Sequence, residues 1–174
     1  MSLRHGLLGL LAEGPASGYD LARRFQEMLG AIYPAQHPKI YAELGRLSSE
    51  GLIAVESEGP RRRKAYRITD AGLAEIKAWL VEGEVDHTVR LQPLLRSVFF
   101  WLMEPDDLRR HLTEEQRFYA ERAARCEAYA AARGSGDSPS VQSLRVTTEA
   151  AVRLYGALAD WAEWARTVPP AGDR

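Results

Sequence analysis

Arg61, Arg62, Arg63 and Lys64 set four cations side by side in "EGPRRRKAYRIT". Such a run can hold phosphate oxygens or line a nucleic-acid groove, and each phosphate it neutralises releases counterions. Taken alone it reads more readily as a solvated loop. A second group, Gln36, His37, Lys39 and Ala42, opens a helical pattern that follows "GAIYPAQHP". On a helix end in a major groove, Gln can bridge adenine, Lys can reach guanine, and an Ala methyl can touch thymine. Gln36 and His37 fit a plain helix cap just as well. Tyr41 pairs an apolar ring with a hydroxyl that can reach a phosphate or base. Arg46, two turns further along, suits a phosphate contact or a surface ion pair better than base reading.

Catalytic and metal chemistry find no such pattern. His5, His37, His87 and His111 are scattered without ligand spacing. No glycine-rich phosphate loop is present. The single cysteine, Cys126, rules out an intrachain disulfide and lies in a helical stretch with no histidine near it in sequence. No catalytic residue, metal ligand or cofactor is assigned. The 174 residues carry a net charge of -1, with 45% hydrophobic and 27% charged residues, enough for a packed core in one medium or two small domains. Charge is spread evenly: through Glu82 there are eleven Lys/Arg and ten Asp/Glu. A nucleic-acid contact must therefore come from a local patch. The apolar run Leu7–Ala12 is too short for a cleaved signal and is followed by Glu13. No stretch approaches the ~20 apolar residues of a membrane span. A cytoplasmic protein without a membrane partner is expected.

The elements that must position these residues follow from periodicity and punctuation. Leu3, Leu7, Leu8, Leu10 and Leu11 form one short helix, and "EGPASG" breaks it. Ser17 and Asp20 have capping-box spacing, so a second helix starts near Gly18, with Leu21, Phe25, Met28 and Leu29 on its apolar face. Pro38 suits the first turn of a third helix that buries Ile40, Leu44 and Leu47 and stops at Gly51. "LIAVES" and "AYRIT" flank the basic turn as a hairpin. Thr69 caps a fourth helix that uses Leu73, Ile76 and Leu80. Three helices, a hairpin and a helix make a winged helix-turn-helix, and the basic run becomes the tip of its wing.

Beyond Glu82 the signal is helical. An apolar helix spans Leu91–Leu102, a charged one Asp106–Arg133, and a last one Ser140–Val168 after "GSGDSP". Leu108, Leu112, Phe118, Tyr119, Ala123, Cys126 and Tyr129 are core candidates in the long helix; Leu144, Ala151, Leu154, Tyr155, Leu158, Trp161 and Ala165 are those of the last. So few helices do not close a bundle alone, and a second copy is the expected partner. The fold class is mainly α with a small β-hairpin wing: residues 1–82 as a DNA-binding winged helix-turn-helix, and 83–170 as a C-terminal helical dimerisation and effector domain.

"LLGLLAEGPASGYDLARRF", "PKIYAELGRLSSEGLI" and "RRRKAYRITDAGLAEIKAWL" together resemble the PadR family of transcriptional regulators. The resemblance covers about the first half of the chain, and the second half is similar to the family's helical C-terminal domain more weakly. It implies double-stranded DNA as partner, a homodimer joined through the C-terminal helices, and repression of a pseudo-palindromic operator relieved by a small aromatic effector. It carries DNA contact onto Lys39, Tyr41 and the wing cations. It transfers no effector contact; Trp101, Trp161 and Trp164 are candidates for one because of their aromatic surface alone. Two other readings remain open: a winged helix that binds protein partners and not DNA, and a small-molecule-binding protein built on the aromatic residues.

Overall fold

A computed structural model describes residues 3–30, 33, 35–59, 63–85, 87–88, 90–132, 136 and 138–168, with the side chains of 58, 59 and 63 outside the description. The elements are α1 (Leu3–Ala12), β1 (Ala16–Ser17), α2 (Gly18–Leu29), α3 (His37–Ser49), β2 (Ile53–Gly59), β3 (Arg63–Ile68), α4 (Asp70–Glu82), α5 (Gln92–Ser97), a 3-10 turn at Phe100–Leu102, α6 (Pro105–Ala132) and α7 (Pro139–Ala165). The chain divides into two units, Met1–His87 and Thr88–Arg174.

In the first unit the helix ends sit where their capping residues place them. Ser17 Oγ accepts from Asp20 N at 3.2 Å and donates to the Asp20 carboxylate at 2.6 Å. Gly51 ends α3 at φ +73°, a conformation in which a Cβ would be strained. Thr69 Oγ1 accepts from Gly72 N and donates to Gly51 O and Leu52 O, at 2.8 and 2.9 Å, so one hydroxyl caps α4 and ties it to the start of β2. Leu7, Leu8 and Leu11 from α1, Leu21 and Phe25 from α2, and Ile40, Leu44 and Leu47 from α3 are closed off from solvent in one core. Tyr66, Ile68 and Ile76 pack on its rim.

The expected hairpin is a three-stranded antiparallel sheet of order β1-β3-β2. Ala16 and Ser17 pair with Tyr66 and Ala65, adding a strand in what reads by sequence only as a break. Two residues are too few for an alternation pattern, and Gly14, Pro15 and Gly18 around them carry turn signals. β2 and β3 pair from Ile53↔Ile68 to Gly59↔Arg63, with an irregularity between Val55 and Ser57. Leu80, expected on the apolar face of α4, is exposed, as are Val81 and Val85 after it.

In the second unit α6 and α7 form an antiparallel pair of long helices. Positions 112, 119 and 126 of α6 are buried every seventh residue. On α7 Leu144, Thr148, Ala151, Leu158 and Ala162 are buried, with steps of four and three that continue through half-buried Tyr155. This is the seam of a two-helix coiled coil. Phe118 and Leu154 lie off that seam and are about half exposed, correcting their place among the core candidates. The single helix expected over Leu91–Leu102 is instead α5, a turn at Val98 and Phe99, and the 3-10 turn. β-branched Val98 and aromatic Phe99, Phe100 and Trp101 favour helix weakly. No helix among the described residues is long and apolar enough to cross a membrane.

Candidate nucleic-acid interface

The first unit holds α3 by one face and leaves the other in solvent. Ile40, Leu44 and Leu47 recur on the core side, while Gln36, His37, Lys39, Tyr41, Ala42, Gly45, Arg46 and Ser49 are exposed. Gln36 has the extended backbone of an N-cap, and its carbonyl accepts from Lys39 N and Ile40 N at 3.0 and 3.2 Å. Its side chain makes no cap hydrogen bond, so the amide stays available at the helix end. The Gln26 amide donates to Ala35 O and so holds the approach to this end. Gln36, His37, Lys39 and Tyr41 therefore cluster in the first turns of α3. Arg46 lies roughly 10 Å further along the axis at 1.5 Å per residue. There it pairs with Glu43 at 3.2 Å, the surface ion-pair role open to it by sequence.

Tyr41 is placed by the neighbouring helix. Its ring lies against Gly18, the first residue of α2: a Cβ there would sit 3.0 Å from Tyr41 Cε1 and 3.5 Å from Cδ1. Ser17, the preceding residue, is paired with Ala65 on β3. Lys64 and Arg67 are exposed on that same strand. Arg61 and Arg62, with the side chain of Arg63, lie outside the described residues; Arg63 opens β3 next to them. By sequence Arg67 is only part of a strand alternation, yet in the fold it adds an exposed cation to the wing strand.

The opposite end of α3 is anchored electrostatically. Arg4 of α1 pairs with Glu50, the residue that caps the α3 C-terminus, and with Glu75 of α4 at 2.9 Å. Burial works against the Arg4 charge, but the Glu50 hydrogen bond and the nearby Glu75 and Glu43 carboxylates outweigh it and raise its pKa. His5 stacks on Trp79 with centroids 4.5 Å apart and planes 7° from parallel. Burial pushes the His5 pKa down, against the pull of Glu75 and with the help of Arg4. None of these contacts was read from the sequence. Residues 46 to 74 apart have no periodic relation that would reveal them.

In the second unit the aromatic residues split into two sets. Tyr119 stacks on Tyr155 at 6.3 Å and packs with Leu158, Ala159 and Leu91. Burial and then the Glu115 carboxylate push its hydroxyl up to about 12, so it stays protonated. Trp101 and Trp164 are exposed and Trp161 is half buried. Trp161 and Trp164 share α7, whereas Trp101 lies in the 3-10 turn. Cys126 is buried in the α6 seam, and that burial raises its thiol pKa, which disfavours thiolate chemistry.

Residues 7–78 match the transcriptional regulator PadR-like family. The chain is 37% identical over 101 residues to the negative transcriptional regulator PadR of Bacillus subtilis, a match spanning 56% of either chain. Residues 7–78 of the chain are therefore PadR-like. The match thus spans about half the length of that curated relative. The backbone similarity reaches further than the sequence match. The crystal structure of B. subtilis PadR in complex with operator DNA covers 94% of this chain and 96% of its own, with TM-score 0.80 and 26% identity. The structure of the same PadR in complex with p-coumaric acid gives TM-score 0.77 at 26% identity. The α3 surface and the wing strand both fall within residues 7–78, the part matched as PadR-like. Trp101, Trp161 and Trp164 fall outside that part.

Proposed function

We propose that this PadR-like chain is a DNA-binding regulator of transcription that acts as a homodimeric repressor in the cytoplasm and has no enzymatic role. The observation that carries the reading is the exposed N-terminal half of α3. Gln36, His37, Lys39 and Tyr41 face solvent there while Ile40, Leu44 and Leu47 lock the helix to the core. The first unit, with the wing cations Arg61, Arg62, Arg63 and Lys64 on phosphates, binds DNA; the second dimerises and holds the effector. Two recognition helices about one DNA turn apart, roughly 34 Å, would read two half-sites. The operator complex of the similar B. subtilis PadR supports the DNA partner, and its name as a negative regulator supports repression.

The p-coumaric acid complex of that protein supports a small aromatic effector for this chain. Such an effector acts by binding better to a dimer whose recognition helices no longer match the operator spacing. The test is a titration of the full chain against a duplex from its own upstream region at several salt concentrations. Specific binding whose affinity falls steeply with salt is expected, because phosphate contacts release counterions. No specific binding, or binding indifferent to salt, would overturn the reading in favour of a protein-interaction module.

A further inference from the structure

Gly18 opens α2 and is buried, yet it is not one of the positive-φ glycines, which are Gly14 and Gly51. Its backbone conformation is open to any L-residue. What the position cannot hold without adjustment is a side chain: a Cβ would stand 3.0 Å from Tyr41 Cε1, and 3.5 Å from Tyr41 Cδ1 and Leu44 Cδ1. The Leu44 distance is ordinary contact, so the Tyr41 ring is the group that must move. That ring is 48% exposed and has solvent to move into. Gly18 is thus the surface on which a half-exposed aromatic residue of α3 rests.

We propose that Gly18 is a positioning residue of the DNA interface, seating the Tyr41 ring so that its hydroxyl projects from α3 at a fixed place. The proposal rests on the reading of α3 as the recognition helix. The hydroxyl lies at the far end of the ring, where a phenol can donate to a phosphate or base acceptor. The tightest contact falls on Cε1, next to the carbon that carries the hydroxyl, so pushing that edge of the ring outward would displace the hydroxyl with it. The seat also links two parts of the interface. Ser17 precedes Gly18 and is paired with Ala65, between Lys64 and Tyr66 on the wing strand. The backbone that supports Tyr41 is therefore in register with the backbone that carries the wing cations.

A positioning role and a purely structural one predict opposite signs for stability and binding. Alanine in the first turn of a helix is favoured over glycine and reduces the entropy of the unfolded chain. Gly18→Ala should therefore melt at the same temperature as wild type or higher. Its affinity for DNA should fall about threefold to tenfold, the scale of one impaired hydrogen bond. The experiment measures melting temperature and anisotropy of a fluorescein-labelled duplex from the chain's upstream region. It compares the full-length wild type, Gly18→Ala, Tyr41→Phe and the double variant. The expected result is a weaker Gly18→Ala, a weaker Tyr41→Phe, and a double variant no weaker than Tyr41→Phe alone. Wild-type affinity in Gly18→Ala, additive losses in the double variant, or a lower melting temperature in Gly18→Ala would each overturn the proposal while leaving the recognition-helix reading intact. A wild-type chain that shows no salt-dependent specific binding overturns that reading itself, and the role of Gly18 with it.

Discussion

Lys39 and Gln36 meet solvent at the same end of α3, and Lys64 of the basic run sits on β3, so the two groups should fail differently. Lys39→Ala or Gln36→Ala should relax base preference at one position of each half-site, at a cost of about 1–3 kcal/mol for a lost bidentate contact. Replacing Arg61, Arg62 and Arg63 together with Ala should weaken specific and unrelated duplexes alike and flatten the salt slope, because phosphate contacts carry no sequence information. Binding-site selection on a randomised duplex checks the first, and titration across salt checks the second. Full affinity of the wing variant at every salt concentration would return the run to a solvated loop. His5 yields a separate prediction. Its folded pKa is depressed, so between that value and the ordinary ~6.5 the unfolded chain binds more protons. The stability it contributes is complete above about pH 6.5 and is lost as pH falls through the folded value. His5→Phe keeps an aromatic ring against Trp79 and removes the titration. Urea unfolding should show a shallower loss of stability on acidification in this variant than in wild type. The residue types that could touch DNA were visible in the sequence because their periodicity put them opposite Ile40, Leu44 and Leu47. The Arg4, Glu50 and Glu75 contacts were not, because only the fold brings α1, α3 and α4 together.

Elements with chemical punctuation at their ends were readable; elements without it were not. Ser17, Pro38, Gly51 and Thr69 each fixed a helix boundary through a capping or turn preference, and the structure places α2, α3 and α4 at those boundaries. β1 escaped notice because it is made entirely by pairing with β3, a long-range partnership that two residues cannot announce. α5 is shorter than its sequence pattern because apolar residues at helical spacing say where a face would be, not that a core exists to receive it. Leu95, Val98, Phe99, Trp101 and Leu102 are all exposed. Thr69 tests the punctuation argument. Its hydroxyl accepts from Gly72 N and donates to Gly51 O and Leu52 O, joining α4 to the β2 entry. Thr69→Val keeps the shape and removes all of these, which should cost about 1–2 kcal/mol. Chemical denaturation should show a lower midpoint with an unchanged slope, since the surface exposed on unfolding is the same.

Across the whole molecule, α7 has more apolar surface than one partner helix can use. Its seam toward α6 takes Leu144, Thr148, Ala151, Leu158 and Ala162. A second stripe, Val146, Ala150, Leu154, Ala157 and Trp164, is exposed around the other side. A helix apolar on two faces belongs between two neighbours, and α6 supplies one. In the proposed homodimer a second copy of α7 would supply the other, since two-fold pairing lets one stripe meet itself. Leu154, 50% exposed near the middle of that stripe, is the position at which to break the pairing without touching the seam. Leu154→Asp should give a monomer by sedimentation at concentrations where the wild type is a dimer, with helicity by circular dichroism retained. Its DNA affinity should fall by about 100-fold or more, because the second half-site is then no longer held at the effective concentration that linkage provides. The wild-type melting temperature should also rise with protein concentration, and that of the variant should not. A Leu154→Asp chain that stays dimeric and keeps its affinity would mean that the stripe faces something other than its own copy.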